Sequence, residues 1–378
     1  MEERETMPGN IRNTNIEWLR IVSMLLIVAA HGTVIGCYST DVSLYVFTCG
    51  QILGSWGILG VDLFLIIGAW FLVDQKFRIS KVTSIVWNTF TWVLAYSILS
   101  VIYVFRETRS FSAAVSDLGQ WAHKGLIEPF WAYAYWFVTA YFFMMLAAPL
   151  MNKIIDSASQ TGLKKGLLIL MFIPLCSQFG PNFIVDIVYF CYVYLLVGYV
   201  KRYGIRALEK YAKPGVFLAL STAIIAARMA FYLPDTEWTL FLKEVLNLTI
   251  GAVNRHSAVM LVDAFLIFFW VNKQRPHYNR LVNKIAACTF GVYLFHGNFV
   301  ASFPTVVHFI FNKCVQWRFI TFSRRFPFQY VLAVLLTFLI GTVIEYFRQL
   351  TIQKPVMKLL EKHCSGHMAK IDQWFNSL

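Results

Sequence analysis

The sequence predicts an all-α membrane protein, a polytopic bundle of about ten transmembrane helices. Of its 378 residues, 58% are hydrophobic and only 14% are charged, and the mean hydropathy is +0.59. Soluble globular domains are far less apolar and more highly charged. Apolar windows long enough to cross a bilayer recur along the chain. The predicted spans are 17–37, 50–73, 83–105, 131–151, 166–180, 183–200, 214–233, 245–270, 284–303 and 330–348.

One part of this assignment stays open. The window 166–180 is short and ends at Gly180 and Pro181. Residues 166–200 therefore fit either two separate spans or a re-entrant hairpin.

The basic residues predict the orientation of the bundle. Of the 33 lysines and arginines, 22 fall in loops and termini on one predicted side, 8 on the other, and Arg20, Arg228 and Arg255 in or beside spans. The positive-inside rule therefore predicts cytoplasmic N- and C-termini. A formal net charge of +13 would also suit a nucleic-acid partner. Because the charges alternate with apolar spans, we interpret them as topology signals and contacts to anionic lipid, without a nucleic-acid partner.

The chain is expected to divide into a transmembrane domain, residues 1–350, and a short tail, residues 351–378. The tail places Met357, Leu360, Ile371, Trp374 and Phe375 among lysines. This pattern is typical of an amphipathic helix lying on the inner leaflet of the membrane.

The first span carries two ionisable residues, Arg20 near its start and His31 deep inside it. Their separation corresponds to about 16 Å of helical rise. An ionisable group inside a span is costly unless it pairs or lines a cavity. Arg20 can extend to the headgroups, whereas the shorter His31 cannot. His31 is therefore the first candidate functional residue.

Other ionisable residues also fall inside the spans: Asp62, Arg228, Arg255, His256, Asp263, His296 and Glu345. For Arg228, Asp263 and the Arg255–His256 pair we favour a structural partner within the bundle. The seven cysteines show no CxxC motif and no metal-ligand spacing, so no metal site is expected.

Four segments resemble the acyltransferase 3 family, polytopic bacterial enzymes that O-acylate surface glycans and related acceptors. They are EWLR followed by ten residues and a histidine (Glu17 to His31), GVDLFLIIGAWFL (Gly60 to Leu72), WFVTAYFFMMLAAP (Trp136 to Pro149) and FGVYLFH (Phe290 to His296). They occur in the family's order. Departures from its pattern are Ile67 for serine, Trp70 for tyrosine, Tyr141 for glutamate and Gly297 for aspartate.

The resemblance implies transfer of an acetyl or other short acyl group from acyl-CoA to a hydroxyl of a cell-surface glycan or its precursor. It implies a multi-pass protein of the bacterial cytoplasmic (inner) membrane, with a glycan or lipid-linked sugar as acceptor. Acyl-CoA is a co-substrate, and no permanently bound cofactor is implied. The implied site residues are His31, Arg20 and His296 for catalysis, Arg20, Arg78 and Lys81 for acyl-CoA, and Glu17, Asp62, Tyr293 and Trp136 in support.

The residue chemistry agrees with this activity. Acyl transfer to a hydroxyl requires a base that works near neutrality, which imidazole supplies, and apolar surroundings favour the neutral form of His31. No GxSxG motif lies near His31, so direct transfer is favoured over a covalent acyl-enzyme. Arg20 could bind a donor phosphate or, alternatively, form an ion pair with Glu17 or Glu345.

Two other functional classes fit the same composition. A polysaccharide polymerase, flippase or secondary transporter also carries intramembrane arginine and histidine, although internal repeats are not visible here. A non-catalytic relative of the family is the second of these alternatives. The sequence does not identify the acceptor, its membrane face, the acyl chain length or the oligomeric state.

Overall fold

The structure, a computed structural model, describes residues 12–36, 44–122, 135–175, 182–230, 233–250, 256–297, 307, 309–311 and 325–377. Within these ranges the protein is helical and has no strand. The helices are α1 Thr14–Gly36, α2 Leu44–Gly54, α3 Gly57–Leu72, α4 Ile79–Thr108, α5 Phe111–Ala122, α6 Trp136–Ser157, α7 Gln160–Leu175, α8 Asn182–Tyr203, α9 Arg206–Tyr211, α10 Pro214–Ala230, α11 Glu237–Ile250, α12 Ala258–Asn272, α13 Arg280–Ala286, α14 Thr289–His296, α15 Phe326–Arg348 and α16 Lys354–Ser377.

Six helical stretches among the described residues are long and apolar enough to cross a membrane. They are Thr14–Gly32, Thr48–Leu72, Ile79–Thr108, Trp136–Ser157, Ile184–Tyr203 and Phe326–Ser377. Two further apolar helices, Pro214–Ala227 and Ala258–Asn272, are shorter. The all-helical membrane architecture follows from these lengths, whereas the count of ten spans and the side of the termini remain predictions.

Three of the predicted spans are each divided between two helices. In the window 50–73, α2 ends at Gly54 and α3 begins at Gly57. The window 245–270 contains the end of α11 and most of α12, which begins after Ser257, whose hydroxyl accepts from Met260 N at 3.3 Å. In the window 284–303, α13 ends at Ala286 and α14 begins at Thr289. Hydropathy does not reveal the break before α14, because Ala287 and Cys288, which separate the two helices, are themselves apolar.

The ambiguous region 166–200 contains α7 and α8, and the residues joining them lie outside the described ranges. The helix α8 is by itself long enough to cross a bilayer. The helix α7, which has 16 residues, packs against it.

The helix α1 lies at the centre of the bundle. It contacts α2, α3, α12, α13, α14 and α15. Its approach to α3 is close because two glycines face it: a Cβ at Gly57 would lie 2.2 Å from Ala30 Cβ, and one at Gly60 would lie 2.5 Å from Ser23 O. Small residues allow this backbone proximity, as is common between membrane helices.

The start of α1 is bonded to the segment that leads into α13. Thr14 N donates to His277 O at 2.9 Å, and Thr14 Oγ1 accepts from Asn279 N at 2.7 Å and donates to Asn283 Oδ1 at 3.0 Å. These bonds fix α1 relative to α13 and, through the short break, to α14.

The carboxylate of Glu345 on α15 is fully buried and joins three parts of the bundle. It accepts two hydrogen bonds from Arg348, at 2.7 and 2.8 Å, one from Gln349 Nε2 at 2.9 Å and one from Trp92 Nε1 at 3.1 Å. Four donors compensate the cost of burying a charged carboxylate. Gly291 of α14 faces this group, and a Cβ there would lie 2.0 Å from Glu345 Cδ.

We expect Gly291→Ala to destabilise the protein by about 1–3 kcal/mol, because the added methyl would displace a carboxylate held by four donors. The thermal unfolding midpoint of the detergent-solubilised protein measures this loss. Gly366→Ala is the control: its Cβ would meet nothing within 4 Å. Since alanine is the better helix former, the control should keep or slightly raise the midpoint. An unchanged midpoint for Gly291→Ala would contradict the packing described here.

Candidate functional site

The structure brings His31 of α1 into contact with His296, the last residue of α14. His31 Nδ1 lies 2.9 Å from His296 Nε2, and the ring centroids are 5.0 Å apart. His296 is buried, with 3% of its surface exposed, whereas His31 is partly exposed. Two histidines 265 positions apart in sequence thus form one pair.

The hydrogen bonds of this pair assign the positions of its protons. His296 Nδ1 lies 2.6 Å from the carbonyl oxygen of Val292, which can only accept, so Nδ1 carries the proton. Neutral His296 then has its lone pair on Nε2. The proton in the 2.9 Å contact therefore belongs to His31 Nδ1. Neutral His31 consequently carries its own lone pair on Nε2, the position that a general base requires.

The end of α14 that carries His296 is fixed by two tyrosine hydroxyls. Tyr96 of α4 donates to the carbonyl of Phe295 at 2.5 Å, and Tyr135, beside the start of α6, donates to that of Leu294 at 3.3 Å. The last carbonyls of a helix lack the usual partners within the helix, and these bonds give hydrogen-bond donors to two of them at the end of α14. Neither tyrosine was predicted from the sequence, because isolated tyrosines in apolar helices carry no recognisable spacing.

Arg20 lies on nearly the same face of α1 as His31, about 20° away around the axis and about 16 Å along it. Its Nη1 is 3.5 Å from Glu17 Oε2, and its guanidinium lies 5.9 Å from the ring of Phe71 at the end of α3. Of the two predicted ion-pair partners, Glu17 is thus confirmed. Glu345 instead binds Arg348.

A row of aromatic rings lies between the Arg20 region and the histidine pair. Tyr141 lies against Gly68 of α3, about one turn before the Phe71 that Arg20 approaches, and its ring stacks on Phe137 at 5.8 Å. Phe137 contacts Tyr293 at 5.6 Å, and Tyr293 contacts the edge of His296 at 6.0 Å. This row, Tyr141–Phe137–Tyr293, is called the aromatic row below.

Two predicted supporting residues thus lie at or beside this row. Tyr293 belongs to it, and Trp136 packs edge-on against Phe137 at 6.2 Å and Phe190 at 6.1 Å. Gly68 leaves space for Tyr141, since a Cβ there would lie 3.0 Å from the tyrosine hydroxyl.

Comparison with family models decides the classification. Residues 13–346 match the model of the acyltransferase 3 family, described as an acyltransferase domain. The chain belongs to this family. It is therefore a membrane acyltransferase, as the four motifs predicted. Comparisons with curated proteins and with solved structures give no match.

Asp62, a predicted supporting residue of this acyltransferase 3 protein, belongs to a group of hydrogen-bonded side chains other than the histidine pair. Its carboxylate is fully buried and accepts from the hydroxyl of Tyr189 on α8 at 2.8 Å. The ring of Tyr189 lies 4.7 Å from that of His256, and His256 Nε2 lies 2.8 Å from Asp186 Oδ1. Tyr189 and His256 also line an apolar cavity of about 310 Å³ between α7, α8, α9 and α12.

The structural partners expected for other intramembrane groups are present where the structure describes them. His256 pairs with Asp186, and Asp263 accepts from Ser221 Oγ at 2.5 Å. Arg255 and the side chain of Arg228 lie outside the described residues. Within the described ranges, no group of three or more His, Cys, Asp or Glu side chains is arranged to hold a metal ion.

The loop between α3 and α4, residues 73–78, and the first turn of α4 carry the remaining predicted binding residues, Arg78 and Lys81. Lys76, Arg78 and Lys81, at the start of α4, line a narrow cleft against Met145 and Pro149 of α6. Lys81 Nζ also donates to Gln75 Oε1. The loop directly follows the end of α3 near which Arg20 lies, so these cations occupy one end of the bundle, called the basic end below.

Proposed function

We propose that this protein transfers an acetyl or other short acyl group from acyl-CoA to a hydroxyl of a cell-surface glycan or its precursor. The observation that carries the proposal is the His31–His296 contact. It fixes the tautomer in which Nε2 is the basic nitrogen of His31 in this membrane acyltransferase.

The reaction follows from this arrangement. The acceptor oxygen attacks the thioester carbonyl while its proton passes to His31 Nε2, which forms imidazolium. The C–S bond breaks, and the departing CoA sulfur takes the proton back from His31. The products are the O-acyl ester and free CoA thiol, so His31 returns to its starting state. No acyl-enzyme is formed, in keeping with the absence of a nucleophile motif near His31 in the sequence.

His296 acts as the positioning residue of the pair. Its Nε2 accepts from His31 Nδ1–H both before and after His31 gains a proton. The bond fixes the ring orientation of His31 and strengthens when imidazolium forms, because hydrogen bonds from charged donors are stronger than neutral ones. The tyrosine bonds to the end of α14 hold His296 in place for this role.

The basic end supports donor binding. Arg20 remains charged at all physiological pH values and can bind a phosphate through two N–H groups, while Arg78 and Lys81 supply further positive charge. With the CoA phosphates at Arg20, the extended pantetheine arm of CoA has to span the rise of about 16 Å to His31. The aromatic row lies between the same two regions, with Phe137 and Tyr293 buried in the core.

This assignment places the basic end in the cytoplasm, where acyl-CoA is made, and the protein in a bacterial inner membrane. The excess of basic residues predicted on that side supports the orientation. Acceptor-dependent release of CoA from acetyl-CoA by purified protein tests the function, together with mass spectrometry of surface glycans from cells with and without it. A protein that ignores CoA and transports a sugar would instead belong to the transporter class.

His31→Ala should lower acyl transfer per folded molecule by about 10²- to 10⁴-fold, the usual contribution of a general base. CoA release is measured at equal amounts of folded protein, determined by size-exclusion chromatography, and CoA binding should be retained. His363→Ala, which removes an exposed histidine of α16, is the control and should leave transfer unchanged. Normal specific activity in folded His31→Ala protein would end the assignment of His31 as the base.

Arg20→Ala should raise the KM for acetyl-CoA by about 10- to 100-fold, the effect of losing hydrogen bonds from a charged donor. Arg20→Lys should recover only part of this affinity, because lysine cannot bind a phosphate through a planar fork. Arg12→Ala is the matched control: Arg12 also lies near Glu17, at 4.0 Å, but its side chain is 58% exposed. A lower kcat with an unchanged KM in Arg20→Ala would contradict donor binding.

A further inference from the structure

The last turn of α16 is bonded to the α3–α4 loop through the backbone of Phe77. Asn376 Oδ1 accepts from Phe77 N at 2.9 Å, and Asn376 Nδ2 donates to Phe77 O at 3.1 Å. The amide side chain of Asn376 thus pairs with both the backbone N–H and the backbone carbonyl of Phe77. Such a pairing requires an amide side chain, since aspartate cannot donate and leucine can do neither.

Two further contacts reinforce the attachment. Asp372 Oδ1 accepts from Ile79 N at 2.6 Å, so a side chain of α16 caps the first turn of α4. The preceding residue, Arg78, makes no capping bond with its own side chain. The rings of Phe375 and Phe77 stack with centroids 4.2 Å apart and planes inclined by 28°.

The attached residue lies between two cations of the loop, Lys76 and the predicted donor-binding residue Arg78. Phe77 is buried, whereas its neighbours Lys76 and Arg78 are exposed. The bonds to the backbone of Phe77 and the stacking of its ring fix the part of the loop that carries the exposed Lys76 and Arg78. The cap at Ile79 fixes the turn of α4 that leads to Lys81. Ordering a loop before its ligand binds reduces the entropic cost of binding.

We propose that Asp372, Phe375 and Asn376 are positioning residues that hold the α3–α4 loop for acyl-CoA binding. This inference rests on the proposed function, because it assigns the loop cations to the donor phosphates. It gives the C-terminal helix a role in donor affinity. These residues contact the loop, not the donor, and act through Lys76, Arg78 and Lys81.

Kinetics of the full-length protein with acetyl-CoA test the proposal, together with CoA binding measured on detergent-purified protein. Asn376→Ala and Asp372→Ala should each raise the KM for acetyl-CoA and the Kd for CoA by about 3- to 10-fold, with kcat within about twofold of wild type. Asp372→Asn keeps an oxygen that accepts from Ile79 N, so its KM should stay close to wild type. Gln373→Ala, on the exposed side of the same turn, is the matched control.

Two results would overturn the inference. In the first, KM and Kd stay at wild-type values in both alanine variants while wild-type protein transfers acyl groups; the proposed function then stands and the positioning role fails. In the second, kcat and the unfolding midpoint fall together while Kd is unchanged, which is the signature of a purely structural contact. Failure of the wild-type protein to bind CoA would refute the proposed function itself, and the inference with it.

Discussion

The hydrogen bond between His31 and His296 is the interaction on which the remaining geometry depends. It requires two helix segments far apart in sequence to place imidazole nitrogens 2.9 Å apart inside an apolar bundle. Hydrogen bonds hold both helices in the positions that this contact needs. Thr14 joins the start of α1 to the segment before α13 and to α13 itself, and Tyr96 and Tyr135 fix the end of α14. The close α1–α3 contact through Gly57 and Gly60 holds α1 from another side.

The same constraint explains the buried polar groups around α14. A short helix ending inside the bundle leaves carbonyl groups without partners, and in a membrane interior no water compensates them. The tyrosine hydroxyls satisfy two of these carbonyls, and the Glu345 network occupies the space that Gly291 leaves open. These bonds fix the position of His296 before the substrate binds, which the proposed direct attack requires.

The sequence predicted the parts of this arrangement that local patterns encode. Apolar windows predicted the long helices, and the Arg20–His31 spacing and the FGVYLFH segment predicted both histidines and the family. The break before α14 was not predictable, because Ala287 and Cys288 are apolar. The break before α12 was not predicted, although the polar residues Asn254 to Ser257 precede that helix. The partners Tyr96, Tyr135 and Tyr189 were not predictable either, since their roles depend on contacts between distant helices. The bond between Asp62 and Tyr189, and the attachment of α16 to Phe77, are likewise long-range pairings.

The central claim is that His31 and His296 act as one catalytic unit, and a double-mutant cycle on the rate of acyl transfer tests it most directly. The cycle compares His31→Ala, His296→Ala and the double variant at equal amounts of folded protein. If His296 acts only through His31, the double variant should transfer no more slowly than His31→Ala alone, because members of one unit are strongly non-additive. Additive losses, with the double variant slower by the full product of the two single effects, would show that the histidines work independently and would contradict the account.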